Sequence, residues 1–127
     1  MRAAIAALVA ILCGCGEPPP DLQAGAKLYA QHCGACHGMK LEGQGGVPPL
    51  AGRDFRWDWD LMGIDSLFEK MLYTMPVDKQ SNTNPIQEAD ILAYILQYNQ
   101  YPAGSRDLPA DADLLRVVRF EADKSLH

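Results

Sequence analysis

Cys33-Gly34-Ala35-Cys36-His37 is the stretch on which the reading of this chain turns. Few chemistries need two thiols and an imidazole at that spacing. In covalent attachment of a c-type haem, both sulfurs add to the vinyl groups of one porphyrin, and the adjacent histidine supplies an axial nitrogen to the iron. Two intervening residues let a single turn of chain bring both sulfurs to one ring edge while the imidazole points at the metal. A run this short also arises by chance, so its weight depends on whether the rest of the chain agrees.

At 127 residues the chain has room for one compact domain and little else. With 48% hydrophobic and 21% charged residues it has the composition of an ordinary soluble protein, so disorder is not expected overall. The formal charge is −5 and the Lys and Arg residues are scattered singly, which argues against nucleic acid as a partner. Two rival uses of Cys33 and Cys36 fit less well. A thioredoxin-like redox pair sits at a helix start after a strand, whereas here a helical pattern leads into the motif and no βαβ pattern exists. A structural zinc site wants four ligands, and beyond the pair the domain offers only His32, His37 and His127.

The other two cysteines, Cys13 and Cys15, close a ten-residue apolar run, Ala3 to Leu12, that follows Met1-Arg2. The run is too short to cross a bilayer and fits the apolar region of a secretory signal peptide. A buried N-terminal helix is the alternative, but Gly14, Gly16 and Pro18-Pro19-Pro20 would end it abruptly. Leu12-Cys13-Gly14-Cys15 resembles a bacterial lipobox, with a small residue just before the cysteine that becomes diacylated. The expectation is therefore a cleaved signal at 1–14, a lipid on Cys15 and a stiff proline-rich tether over 15–20. Cleavage there removes Arg2 and takes the formal charge from −5 to −6. Ordinary cleavage to a soluble exported protein is the alternative. Both place the domain outside the cytoplasm, on the periplasmic side of a bacterial membrane.

Residues 21–101 carry the helical periodicity. Asp21 is the expected N-cap of a first helix to about His32, with Leu22, Gly25, Leu28, Tyr29 and His32 at helical spacing. Gly25 costs roughly 1 kcal/mol against alanine inside a helix, which a close helix crossing would explain. From Gly38 to Trp59 the pattern is irregular, and glycines and prolines forbid a long helix or central strand. A loop this long in a small domain wraps something or has a task. Asp65 is the expected cap of a second helix, about Ser66 to Tyr73, stopping before Pro76. Asn84, with Pro85 at the first helical position and Gln87 completing a capping box, starts a third helix to about Gln97. Residues 102–127 read as a C-terminal extension in which Asp111 could cap a short helix through Val118, while Arg116 to Phe120 could equally be extended. No segment alternates as a strand, so the expected class is all-α: about three main helices around one haem.

A sixth ligand to the iron would come from Met39, Met62, Met71 or Met75. Met39 is too close in sequence to reach the opposite face of the ring. Met71 lies on the apolar stripe of the second helix and reads as core. Met75 precedes Pro76, which biases it out of the α region and into a loop 38 residues after His37. Met75 is the expected axial ligand; Met71 or an open sixth site are the alternatives.

Over roughly Asp21 to Tyr98 the chain resembles the class I c-type cytochromes. The resemblance rests on Gly25-x-x-x-Tyr29, Cys33-x-x-Cys36-His37-Gly38, Val47-Pro48-Pro49-Leu50, Tyr73-Thr74-Met75-Pro76 and the helix containing Tyr94. It implies a close crossing of the first and last helices at Gly25, Tyr29 and Tyr94. It also implies a Pro48 carbonyl that accepts a hydrogen bond from the axial His37 and so tunes the iron. Arg53, Trp57 and Trp59 fall in the stretch from which the family draws donors to the haem propionates. The implied function is single-electron transfer by one covalent haem c, with His37 and Met75 axial and no catalytic residues of its own. Its partners would be redox proteins, a donor such as a quinoprotein or other periplasmic dehydrogenase and a respiratory acceptor, with the membrane reached through the lipid anchor. A five-coordinate haem domain for gas binding or peroxide reduction is one alternative; a docking subunit of a dehydrogenase complex is another.

Overall fold

The computed structural model describes residues 20–77, 83–101 and 108–117. The expected signal, Cys13, Cys15 and the tether up to Pro19 lie outside the described residues. Within them the chain is helical: α1 (Pro20–His32), α2 (Gly34–His37), α3 (Gly52–Trp59), α4 (Ile64–Thr74), α5 (Pro85–Tyr98) and α6 (Ala112–Leu115). Gln44 and Val47 form an isolated antiparallel bridge.

α1, α4 and α5 are the three main helices the periodicity predicts, with shifted starts. α1 opens on Pro20, so Asp21 lies inside the first turn and is not the N-cap. Proline is tolerated there because the first-turn N–H groups have no intrahelical partner in any case. α4 is capped by the extended Gly63, and Asp65 sits in its first turn, where a carboxylate complements the helix dipole. α5 begins as the sequence predicts. Asn84 Oδ1 accepts from Gln87 N at 2.9 Å, and Gln87 Oε1 accepts from Asn84 N at 3.0 Å.

α3 corrects the reading of 38–59 as wholly irregular. The Gly/Pro run ends at Gly52, in the left-handed region at φ +85. The seven residues after it contain no breaker, and Phe55 and Trp59, four apart, stack with ring centroids 6.5 Å apart.

α1 and α5 make the most extensive helix–helix contact, and Gly25 permits it. A Cβ at Gly25 would come within 2.1 Å of the Asp90 carbonyl oxygen and 3.0 Å of Tyr94 Cβ. Tyr29 and Tyr94 stack beside that crossing with centroids 5.5 Å apart. The core continues past residue 101. Leu115 is 0% exposed and belongs to the same cluster as Tyr29, Phe68 and Leu92, with Leu108, Ala110 and Ala112 packed against it. Asp111 caps α6 by accepting from Asp113 N and Leu114 N. The helix stops at Leu115, short of the expected Val118, and Arg116 pairs with Asp65 of α4 at 3.5 Å.

Candidate functional site

The C-x-x-C-H run forms a single tight turn. Cys33 N bonds to Tyr29 O at 2.8 Å, closing α1, while Cys33 O accepts from Cys36 N at 3.2 Å and His37 N at 2.9 Å. Cys33 is half-buried, Cys36 is exposed, and both thiols are free. Burial, then the nearby Glu88 and Cys36, push the Cys33 thiol up to about 12. A thioredoxin-like pair needs a depressed thiol pKa, so this environment opposes that rival. Among the described residues no group of three or more His, Cys, Asp or Glu is placed to hold a metal ion.

His37 is 8% exposed. Its Nδ1 lies 2.8 Å from the Pro48 carbonyl oxygen. A carbonyl only accepts, so Nδ1 carries the proton and Nε2 is left with its lone pair free for a metal. The loop that brings Pro48 back to His37 is tied at several points. Leu41, fully buried, takes the left-handed region at φ +58, a conformation that persists only where the surroundings hold it. Its N–H donates to Gly38 O at 3.1 Å and its carbonyl accepts from Leu50 N at 2.9 Å. Gly43 N donates to His37 O at 2.7 Å, and the buried Tyr29 hydroxyl donates to Gly38 O at 2.8 Å. Burial keeps that phenol protonated, well above its ordinary range.

Met75 is the C-cap residue of α4 with extended backbone, φ −121 and ψ 148, as the following proline dictates. It is half-buried. Met71, one turn earlier, is 7% exposed and part of the core, while Met39 and Met62 are exposed. Arg53 and Trp57 lie one turn apart on α3. Trp57 is 85% exposed, and Arg53 lines a cleft with Lys40, Glu42 and Asp54. Trp59 instead packs half-buried against the core.

Two residues that sequence reasoning missed tie this region together. Asn99, the C-cap residue of α5, is 4% exposed. Its Oδ1 accepts from Gly52 N at 3.0 Å, and its Nδ2 donates to Leu50 O and Ile95 O at 2.9 Å each. Arg56 Nη2 donates to the Asn99 carbonyl at 2.5 Å, and its guanidinium lies 5.9 Å from the Tyr101 ring centroid. An Asn one residue past a helix was the only available signal, and it reads as an ordinary C-cap.

The donor set fits a c-type haem. Two free thiols occupy one turn, the histidine has one nitrogen fixed and the other open, and a thioether stands at a helix end on another element. Residues 20–95 match the sequence model of the family described as cytochrome c oxidase, cbb3-type, subunit III. The chain is 31% identical over 81 residues to thiosulfate dehydrogenase of Stutzerimonas stutzeri (strain A1501), covering 59% of this chain and 26% of that protein. It is 53% identical over 32 residues to cytochrome c-554(547) of Halothiobacillus neapolitanus, covering 25% of this chain and 35% of that protein. A solved structure of thiosulfate dehydrogenase from Marichromatium purpuratum, as isolated, shares 31% identity at a TM-score of 0.49, over 63% of this chain and 19% of that one. The chain thus spans about a quarter to a third of the length of the curated relatives it matches.

Proposed function

The chain belongs to the family described as cytochrome c oxidase, cbb3-type, subunit III, and from that membership we propose that it carries single electrons between redox proteins in the cell envelope. Membership assigns a c-type cytochrome domain of all-α fold with covalently bound haem c; it assigns no oxidase activity. When bound, the haem iron exchanges one electron between its ferric and ferrous states.

In this reading Cys33 and Cys36 would hold the porphyrin edge by thioethers and His37 Nε2 would donate to the iron. Pro48 O keeps the proton on Nδ1, orients the ring and strengthens it as a donor. Met75 would supply the second protein donor to the iron, and a thioether donor would favour its ferrous state. Arg53 and Trp57 can donate to the propionates from α3. The single observation that carries the proposal is the 2.8 Å approach of His37 Nδ1 to Pro48 O within one turn of two free cysteines. The test is a reductive titration of purified holoprotein. It should take up one electron per chain, and its haem should stay with the polypeptide in acidified acetone. Haem that extracts fully would overturn covalent attachment.

We further propose that the domain is exported and anchored by a lipid on Cys15, and that its donor is a dehydrogenase. Detergent partitioning of the wild type, lost in Cys15→Ser, tests the anchor. The similarity to a thiosulfate dehydrogenase supports the dehydrogenase partner, which copurification around the native protein tests.

A further inference from the structure

Pro48 and Pro49 have no N–H to donate, so past the Gln44–Val47 bridge on its N-terminal side the segment that carries the carbonyl facing His37 is next held only by the donors that follow it. The first N–H groups available after it belong to Leu50, Ala51 and Gly52. Leu50 N goes to Leu41 O at 2.9 Å and Gly52 N goes to Asn99 Oδ1 at 3.0 Å. The Leu50 carbonyl is held in turn by Asn99 Nδ2 at 2.9 Å. One buried amide therefore grips both sides of Ala51, two residues beyond the Pro48–Pro49 pair.

Asn99 is itself tightly placed. Its Nδ2 makes a second bond back to Ile95 O, its backbone N–H bonds the same carbonyl at 3.1 Å, and Arg56 donates to its own carbonyl. Only one amide orientation satisfies the Gly52 donor and the two carbonyl acceptors at once. The next residue, Gln100, takes the left-handed region at φ +60, so Asn99 caps α5 immediately before the chain turns away.

We propose that Asn99 is a positioning residue for the axial imidazole: by holding Leu50 and Gly52 to the end of α5 it fixes the Pro48 carbonyl on His37 Nδ1. This rests on the reading of His37 as the axial ligand. Loosening the segment lengthens the Nδ1–H···O bond, weakens the imidazole as a donor and stabilises ferric iron less, so the reduction potential rises.

The experiment follows the His37 Nδ1–H proton by NMR in ¹⁵N-labelled ferrous holoprotein and measures the reduction potential alongside. Asn99→Ala should speed exchange of that proton at least tenfold and raise the potential. Asn84→Ala, which removes the cap at the opposite end of α5, lowers stability without touching the loop and should change neither. In wild type, Gly52 N–H and His37 Nδ1–H should exchange through one opening with the same denaturant dependence, a readout that needs no Asn99 variant to fold. Independent openings, or Asn99→Ala matching Asn84→Ala in both readouts, would overturn the positioning role alone. A wild type in which His37 gives no haem-shifted ring signal would overturn the axial reading and the positioning role with it.

Discussion

On the His37 side, the imidazole is 8% exposed, Nδ1 lies 2.8 Å from Pro48 O, and the residue's own carbonyl accepts from Gly43 N at 2.7 Å. On the Met75 side, the sulfur-bearing residue is half-buried and its backbone is tied at 3.2 Å to Met71 O. The two arms differ in how their positions are fixed. His37 stands in a turn closed by its own neighbours and by a loop that returns to it. Met75 rides on the end of α4, so its placement depends on how that helix is packed. Thioethers have no proton to anchor through a second bond, and a methionine can only be held by packing and by the helix that delivers it. The Met75 arm should therefore be the one that yields first.

The largest effect tests that order directly. Ferric holoprotein should show the weak near-infrared sulfur-to-iron charge-transfer band, and Met75→Ala should abolish it while leaving the haem covalently attached. Met71→Ala should keep the band. In wild type, mild denaturant should remove the band before helical circular dichroism falls. A band that survives Met75→Ala would mean that another residue supplies the sulfur or that the sixth position is held differently.

How much of this could be read from sequence follows the same division. The His37 turn is local, five consecutive residues with a fixed chemical purpose, so it was legible outright. The extended backbone at Met75, at the end of α4, was legible because Pro76 constrains the residue before it. Asn84-Pro85-x-Gln87 announced α5 for the same reason, its cap being made by neighbours in sequence. What was not legible depends on contacts distant in sequence. Asn99 reaches Leu50 and Gly52, 49 and 47 residues away, and nothing in its local sequence marks that. α3 was hidden by the glycines before it. Leu115 was read as part of an extension because the run around it has weak periodicity, and its burial depends on α4 being there to receive it.

That last contact gives the second test. α6 packs on α4, with Leu115 at 0% exposure and Arg116 bridging to the largely buried Asp65 at 3.5 Å. Truncating a fully buried leucine costs about 2–5 kcal/mol, depending on how far the site collapses. Leu115→Ala should lower the denaturant midpoint accordingly, and the near-infrared band should fade at lower denaturant than in wild type. The Arg116 pair is more than half exposed on one side and should contribute little. If Leu115→Ala left the midpoint unchanged, the Met75 arm would not depend on the tail.

The smallest effect lies behind the His37 arm, at the α1–α5 crossing. Glu88 is 4% exposed. Burial raises its pKa, while the Thr83 hydroxyl, which donates to its Oε1, and the nearby His32 pull it down; the net direction is up. A folded-state pKa above the unfolded value of about 4.3 means that the folded chain holds the proton more tightly. The group's contribution to stability is then fully present below the unfolded pKa and is lost as pH rises through the folded one. Glu88→Gln keeps the shape and an oxygen to accept from Thr83, but cannot ionise. Its stability relative to wild type should therefore increase from about pH 4 upward and level off above the folded pKa. Denaturant midpoints of both proteins at a series of pH values read this directly. Parallel curves would show that Glu88 titrates as an ordinary surface carboxylate. A relative stability that falls with pH would show that its charged form is paired, against the upward direction that burial sets.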